Sequence, residues 1–166
     1  MVQKTINPAA LPKRGDTATP GGRVLIIEAR YYEAVADELA AGAIAELEAR
    51  GVSYDRVAVP GALEIAQALN AAVPLFEDTY AGAIVLGCVI RGETSHYDVV
   101  VTNTNHWLME VAITAMIPVG NAVLTVDTMD QAMARARGGR TGKGGDAARA
   151  CLRLIEIEQT FAEQGS

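Results

Sequence analysis

The sequence predicts an α/β protein built on a parallel sheet with helices on both faces. Short apolar segments rich in Val, Ile and Leu alternate four times with longer segments of helical periodicity. Such strict alternation is typical of parallel sheets, because each strand must be joined to the next by a crossover helix. Half of the 166 residues are hydrophobic and only 5% are aromatic, so we expect one core of aliphatic side chains.

The first strand and the first helix are predicted from their apolar patterns. Residues 23–29 read RVLIIEA, an apolar run with β-branched residues that is expected to form a buried strand. The next segment is expected to be a helix, because apolar residues recur at every fourth position. This stripe consists of Val35, Leu39, Ala43 and Leu47. Arg50 and Gly51 provide a basic last turn and a stop.

The rest of the chain repeats this alternation. Further strands are expected at residues 56–59, 80–86 and 118–126. Further helices are expected at residues 62–72, 99–116, 127–138 and 146–162. The spacing that predicts the third of the five helices is formed by Val100, Asn103, Trp107, Val111 and Ala115.

The amino-terminal segment differs from the rest in composition. Residues 1–22 contain three prolines and the pair Gly21 and Gly22, and they show no period. We expect an irregular arm that is disordered or lies across another subunit. Residues 23–166 are expected to form a single domain.

Composition excludes several classes of function. The net charge is −6 and no Lys/Arg cluster occurs, so nucleic acid is not an expected partner. No apolar run approaches the length of a membrane span and no secretory signal is apparent, so we expect a cytoplasmic protein. Cys88 and Cys151 are expected to be buried and reduced, and a nucleophilic Cys88 is the less favoured alternative. His96 and His106 cluster with no other candidate ligand, so no metal is expected.

The segment GCVIRGETSHYD, residues 87–98, has the greatest functional interest. We interpret it as the turn between the third strand and the third helix, where open α/β sheets bind ligands. Gly92 allows close approach of a ligand, and Thr94 and Ser95 add hydroxyl groups at a helix amino terminus that suits an anion. His96 supplies a side chain of the type that titrates near neutral pH. The pattern indicates an enzyme acting on a small phosphorylated molecule, with a capped helix and a surface histidine as the alternative.

Four other residues are of interest, and three of them have a purely structural alternative. Tyr31 follows the first strand and could stack on a planar ring, or be an ordinary rim tyrosine. Glu64 could bind hydroxyl groups, or only favour a helix start. Arg135 could bind phosphate, or be solvated. Lys143 lies in GGRTGKGG, which fails the Walker pattern because it follows a helix and ends Gly-Lys-Gly, so nucleoside triphosphate binding is not expected.

Several ordered motifs carry a resemblance to a known family. They are VPGALEI at 59–65, the segment at 87–98, VGNAVLT at 119–125 and QAMARA at 131–136. Together they closely resemble 6,7-dimethyl-8-ribityllumazine synthase over roughly residues 23–162. The resemblance implies a flavodoxin-like three-layer sandwich with a four-stranded parallel sheet.

The resemblance also implies a reaction of riboflavin biosynthesis. It is the condensation of 5-amino-6-(D-ribitylamino)uracil with 3,4-dihydroxy-2-butanone 4-phosphate to 6,7-dimethyl-8-ribityllumazine. The substrate amine attacks the ketone to form an imine, phosphate is eliminated, and a second ring closes with loss of water. No metal or organic cofactor is implied. A flavin-binding, lumazine-binding or shell-forming member with weak catalysis is the alternative.

The resemblance assigns roles to residues by motif. His96 matches the proton-transfer histidine. The groups that hold the ring and the ribityl chain match Tyr31, Ala62, Leu63, Glu64, Val89, Ile90, Asn121 and Lys143. The phosphate site matches Gly92, Glu93, Thr94, Ser95 and Arg135. This chain departs from many members at Leu63 and Asn121, where Phe is common, and at Glu93, where a small residue is common.

Finally, the resemblance implies a homopentamer with active sites at subunit interfaces. In the family, the groups that match Asn121, Arg135 and Lys143 come from the neighbouring subunit of the ring. The span from Arg135 to Lys143 shows no insertion, so a closed shell of pentamers stays open alongside the free pentamer.

Overall fold

The computed structural model describes residues 22–165, and within them four parallel strands form one sheet with helices on both faces. The order across the sheet is β2-β1-β3-β4. The strands are β1 (Arg23–Ala29), β2 (Tyr54–Val59), β3 (Tyr80–Ile90) and β4 (Val119–Val126). The helices are α1 (Glu33–Ala49), α2 (Ile65–Ala72), α3 (His96–Thr114), α4 (Met129–Ala136) and α5 (Lys143–Gln164). The predicted α/β class is confirmed, whereas the arm, up to residue 21, lies outside the described residues.

Alternating side chains of the strands divide the core between the two faces of the sheet. Val24 and Ile26 pack in the cluster formed with α1, α4 and α5. Leu25 and Ile27 pack in the cluster formed with α2 and α3. Because neighbouring strands are parallel, the ends of β1, β2 and β3 meet at one edge. This edge receives three of the segments that were predicted to carry function, namely those after β1, β2 and β3.

The third strand is longer than predicted. β3 continues to Ile90 because it stays paired with β4 up to the partner Val126. The interpretation of residues 87–98 as a turn is therefore wrong for residues 87–90, which are strand, and for residues 96–98, which begin α3. The connecting loop is reduced to residues 91–95.

The buried face of α3 also differs from the spacing used to predict it. The residues that face the core are Val100, Thr104, Leu108 and Ala112. Trp107, which belongs to the predicted spacing, is 54% exposed. Both sets recur at helical intervals, so periodicity predicted the helix correctly but did not identify the side that packs on the sheet.

The last helix begins earlier than predicted. α5 starts at Lys143, with Gly142 as its N-cap, so the glycines that follow are helical. Gly144 packs closely on α1, and a Cβ at this position would collide with the carbonyl oxygen of Leu39. These glycines serve helix packing and do not form a loop. Among the described helices, none is long and apolar enough to cross a lipid bilayer.

Candidate active site

A pocket of about 420 Å³ opens at the edge where β1, β2 and β3 end and α3 begins. In a sheet of this order the point where the connections reverse lies between β1 and β3, which is the expected place for a ligand. The volume suits one small organic molecule. The pocket is lined by Tyr31, Tyr32, Pro60, Gly61, Ala62, Leu63, Glu64, Cys88, Val89, Ile90, Gly92, Thr94, His96, Tyr97 and Val100.

His96 lies at this pocket because it is the first residue of α3. Its backbone N–H donates to Thr94 Oγ1 at 3.3 Å. Ser95 is the N-cap residue and makes no side-chain capping hydrogen bond, so the expected cap from Ser95 is not observed. A Cβ at Gly92 would meet no described atom within 4 Å. Folding of the described chain therefore does not require glycine there, and close approach of a ligand at Gly92 stays a prediction.

Arg91 holds the loop that carries this helix start. Its backbone N–H donates to the carbonyl of Val126 at 2.9 Å. Its guanidinium lies 4.1 Å from the centre of the Tyr97 ring, and its Nε donates to Asp127 Oδ1 at 3.1 Å. Residues 91–95 are thus tied to β4 on one side and to α3 on the other.

Tyr31 stands at the mouth of the pocket with 74% of its surface exposed. Its ring meets Tyr32 edge-on, with centroids 4.9 Å apart. The preceding residue is anchored, because Arg30 N–H donates to the carbonyl of Val59 at 3.0 Å and its guanidinium pairs with buried Glu28 at 3.0 Å. The backbone before Tyr31 is fixed while its ring face stays open for stacking.

The turn after β2 forms another wall. Ala62–Glu64 is a short 3₁₀ segment, and Gly61 N–H donates to Glu64 Oε2 at 2.9 Å. The helix-start explanation is therefore true of Glu64, which also lines the pocket. Ala62 is buried, and Leu63 is 40% exposed.

The end of β3 forms the back of the pocket through Cys88, Val89 and Ile90. Burial raises the pKa of the Cys88 thiol to about 11, so the thiol is protonated at neutral pH. This protonation disfavours the nucleophilic alternative for Cys88. Cys151 is also buried, and burial raises its pKa to about 12.

The pocket has little positive charge of its own. Within residues 22–165, its lining includes the carboxylate of Glu64 and the imidazole of His96 but no arginine or lysine. Arg91 lies beside it, but its guanidinium is engaged with Tyr97 and Asp127. A phosphate bound at this helix start would have no free cationic side chain from the described part of the same chain.

Three predicted site residues lie elsewhere. Asn121 is exposed on β4, where its Nδ2 donates to Asn105 Oδ1 at 3.3 Å. Arg135 is exposed in the last turn of α4, in the helix layer opposite α3, and its Nη1 donates to the carbonyl of Gln131 at 3.0 Å. Lys143 Nζ pairs with Asp146 Oδ2 at 2.9 Å. The structure of one chain does not bring these residues to the pocket. Two further predicted residues, Glu93 and Ser95, lie exposed in the loop 91–95 but do not line the pocket.

Some lining residues were absent from the sequence prediction. They are Tyr32, Pro60, Gly61, Cys88, Tyr97 and Val100. A usable signal existed for most of them, because they adjoin predicted residues at the same strand ends and helix starts. Among the described residues, no three His, Cys, Asp or Glu side chains are grouped so that they could hold a metal ion.

An open parallel sheet with a small-molecule pocket beside the β1 and β3 ends defines a flavodoxin-like α/β protein with an enzyme-like site. The family description 6,7-dimethyl-8-ribityllumazine synthase matches residues 21–159. The chain belongs to this family.

Curated relatives agree with this membership over nearly the full length. A 6,7-dimethyl-8-ribityllumazine synthase of Nitrobacter hamburgensis is 44% identical, covering 92% of this chain and 95% of the relative. One from Methylobacterium radiotolerans is 48% identical over 89% of both chains. One from Azorhizobium caulinodans is 49% identical over 84% of this chain and 88% of the relative. The predicted resemblance is confirmed, and it favours the enzyme over a member that only binds flavin or forms a shell.

Proposed function

We propose that this chain condenses 5-amino-6-(D-ribitylamino)uracil with 3,4-dihydroxy-2-butanone 4-phosphate to form 6,7-dimethyl-8-ribityllumazine, phosphate and water. One observation carries the proposal. The pocket combines an open aromatic ring at Tyr31, a helix start suited to an anion, and the imidazole of His96. Stacking of the pyrimidine on Tyr31 would place its amine between the β3 end and the helix start.

The chemistry needs positioning more than covalent help. The pyrimidine amine attacks the ketone, water leaves to give an imine, phosphate is eliminated, and the second amine closes the ring with loss of water. Holding two reactants in such geometry contributes on the order of 7–11 kcal/mol. His96 moves protons to and from the reacting oxygens and nitrogens, which adds about 10²–10⁴ in rate.

The pyrimidine and the ribityl chain are assigned to the walls of the pocket. The backbone of Val89 and Ile90 faces the pyrimidine, and the ribityl chain lies along Ala62–Glu64. Glu64 accepts hydroxyl hydrogen bonds in addition to capping its own turn. The smaller side chain of Leu63 leaves more room than the Phe found in many members.

The phosphate is assigned to the loop 92–95 and to Arg135 of a neighbouring subunit. Within residues 22–165, no carboxylate lies within ion-pair distance of Arg135, so its guanidinium is available to an anion. Arginine matches phosphate geometry through paired N–H groups. The pocket lacks a cationic side chain and Arg135 lacks an acidic partner. The two are therefore complementary if they come from different chains. Glu93 then has to point away from the phosphate.

A homopentamer supplies this arrangement, and the exposed surface supports association. Ile113, Met116 and Phe161 expose 68–78% of their surface and line one depression between α3 and α5. Large apolar side chains grouped on a surface mark interfaces. We assign Asn121 and Lys143 to the neighbour's pocket as well, where they contribute to the wall around the ring. Light scattering of the purified protein should give a pentamer or an assembly of pentamers, and a monomer mass at micromolar concentration would contradict the ring.

The function is tested by incubating the purified protein with both substrates. The fluorescent lumazine should appear with time, and phosphate should be released in equal amount. Omission of either substrate should abolish both signals. Tight binding of riboflavin without turnover would contradict the proposal and support the binding protein.

A further inference from the structure

A buried carboxylate, Glu46, lies at the centre of an ion-pair network outside the pocket. Its side chain is 1% exposed on α1. Oε1 accepts from Arg50 Nε at 3.0 Å, and Oε2 accepts from Arg140 Nε at 2.8 Å and from Arg149 Nη1 at 3.2 Å. The hydrogen bonds from Arg140 and then Arg50, together with the charges of Arg140 and Arg149, hold the pKa of Glu46 below its ordinary value. The carboxylate is therefore charged and fully engaged at neutral pH.

The network continues from Glu46 to Lys143. Arg149 Nη1 also donates to the carbonyl of Arg140 at 2.8 Å, and its Nη2 donates to Asp146 Oδ1 at 2.5 Å. The other oxygen of Asp146 accepts from Lys143 Nζ at 2.9 Å. Hydrogen bonds from Lys143 and then Arg149 lower the pKa of Asp146. An unbroken series of charged groups thus joins a buried residue of α1 to an exposed ammonium at the start of α5.

The backbone of this region is held as closely as its side chains. The turn between α4 and α5 has positive φ at Gly138 (106°) and Gly139 (56°). A Cβ at Gly42 of α1 would lie 2.6 Å from the carbonyl oxygen of Gly139. The turn therefore rests directly on α1, and the Arg140 side chain reaches Glu46 from it. The start of α5 at Lys143 is therefore held both by packing of the turn backbone on α1 and by the contact of Arg140 with Glu46.

We propose that Asp146 is a positioning residue for Lys143, and that Glu46, acting through Arg149, positions Asp146. The inference rests on the proposed function, in which Lys143 reaches the ring of the pyrimidine in the neighbouring pocket. A lysine side chain has many rotamers, and ordering it on binding costs conformational entropy. An ammonium already held by Asp146 has lost part of that freedom before the substrate arrives.

The test is a double-mutant cycle on binding. Equilibrium dissociation constants for 6,7-dimethyl-8-ribityllumazine are measured from its fluorescence for wild type, Asp146→Asn, Lys143→Met and the double variant. Asp146→Asn keeps the shape and removes the charge. It should raise the dissociation constant about two- to fivefold, the scale of a partly exposed ion pair. In the Lys143→Met background, Asp146→Asn should have no further effect.

A matched control comes from the same helix. Arg153 and Glu156 form an exposed pair with the same spacing and a distance of 3.1 Å. Arg153→Met breaks this pair without removing Glu156, which also lies 3.9 Å from Arg50 of the Glu46 network, and should leave the dissociation constant unchanged. Glu46→Gln should raise it in the wild-type background but not with Lys143→Met. The KM for the butanone phosphate should not move in Asp146→Asn, because the phosphate is bound by other residues.

The outcomes separate this inference from the function on which it rests. If Lys143→Met binds the lumazine like wild type, the assignment of Lys143 to the ring fails, and the positioning role fails with it. If Lys143→Met weakens binding but Asp146→Asn matches wild type, the positioning role alone is overturned. It is also overturned if the effects of the two substitutions add, since Asp146 would then act independently of Lys143.

Discussion

The pocket edge and the α4–α5 turn hold their functional groups in opposite ways. At the pocket edge, Tyr31 and His96 follow strand ends that are held by backbone hydrogen bonds from Arg30 and Arg91 to neighbouring strands. In the turn, Lys143 is placed by charged side chains that converge on Glu46. The first region offers aromatic and proton-carrying groups with no free cation, and the second offers cations with no pocket. This difference supports the proposal that a complete site combines both regions, taken from two chains.

The largest expected effect is the loss of the proton carrier from the pocket edge. His96→Ala should reduce turnover by about 10²-fold or more, because positioned proton transfer contributes at least that much. Binding of the lumazine should change little. Steady-state rates and fluorescence binding on the same preparation check both parts. Equal losses in rate and in affinity would show that His96 serves binding and not proton transfer.

The corresponding substitution beside the α4–α5 turn is Arg135→Ala, which removes the arginine that is proposed to bind phosphate. It should raise the KM for the butanone phosphate by about 10–100-fold, the scale of a charge-assisted hydrogen bond to an anion, about 1.5–3 kcal/mol. The KM for the pyrimidine should stay close to wild type. Arg153→Ala, which removes an exposed arginine of α5, is the control. An unchanged KM for the phosphate substrate in Arg135→Ala would remove Arg135 from the site.

Mixing the two variants tests whether the regions belong to different chains. In rings that contain both His96→Ala and Arg135→Ala chains, some interfaces join an intact helix start to an intact arginine. Random mixing makes about one interface in four intact, so activity should recover to about a quarter of wild type. Mass spectrometry verifies that mixed rings form. Activity that stays at the average of the two parents would contradict a shared site.

The smallest expected effect concerns the support of the α4–α5 turn. The pKa of Glu46 is lowered in the folded chain from its ordinary 4.5. The unfolded chain therefore takes up this proton more readily, and the stability that Glu46 contributes is present above about pH 4.5 and is lost as the pH falls further. The difference in melting temperature between wild type and Glu46→Gln should be about 2–4 °C smaller at about pH 3.5 than at about pH 7. Melting curves with the same pH dependence would contradict this role.

The strands and helices were predictable where packing follows a simple period. Val35, Leu39, Ala43 and Leu47 were expected to form one stripe, and all four are fully buried. The same spacing contained a signal for a buried Glu46 that was missed, because position 46 lies on the buried side of α1 between 43 and 47. A glutamate there reads locally as half of a surface pair with Arg50. Its partners Arg140 and Arg149 are about a hundred residues away, so only the fold reveals them.

Element boundaries failed where a neighbour in space decides them. β3 reaches Ile90 because β4 continues to pair with it, and α5 begins at Lys143 because its glycines pack on α1. The pocket residues on strand ends and helix starts were predictable because parallel topology gathers them at one edge. Under the proposed function, Asn121, Arg135 and Lys143 reach the pocket of a second chain, so the fold of a single chain cannot supply their positions relative to that pocket.

The protonated thiol at the back of the pocket has a consequence for the durability of the catalyst. The proposed ketone substrate is an electrophile that carries a leaving group, and a thiolate beside it would compete with the substrate amine. Because burial holds the Cys88 pKa at about 11, only a minute fraction of the thiol is ionised at neutral pH. Under the proposed function, the burial that shapes the pocket floor therefore also disfavours alkylation of the Cys88 thiol by the ketone substrate.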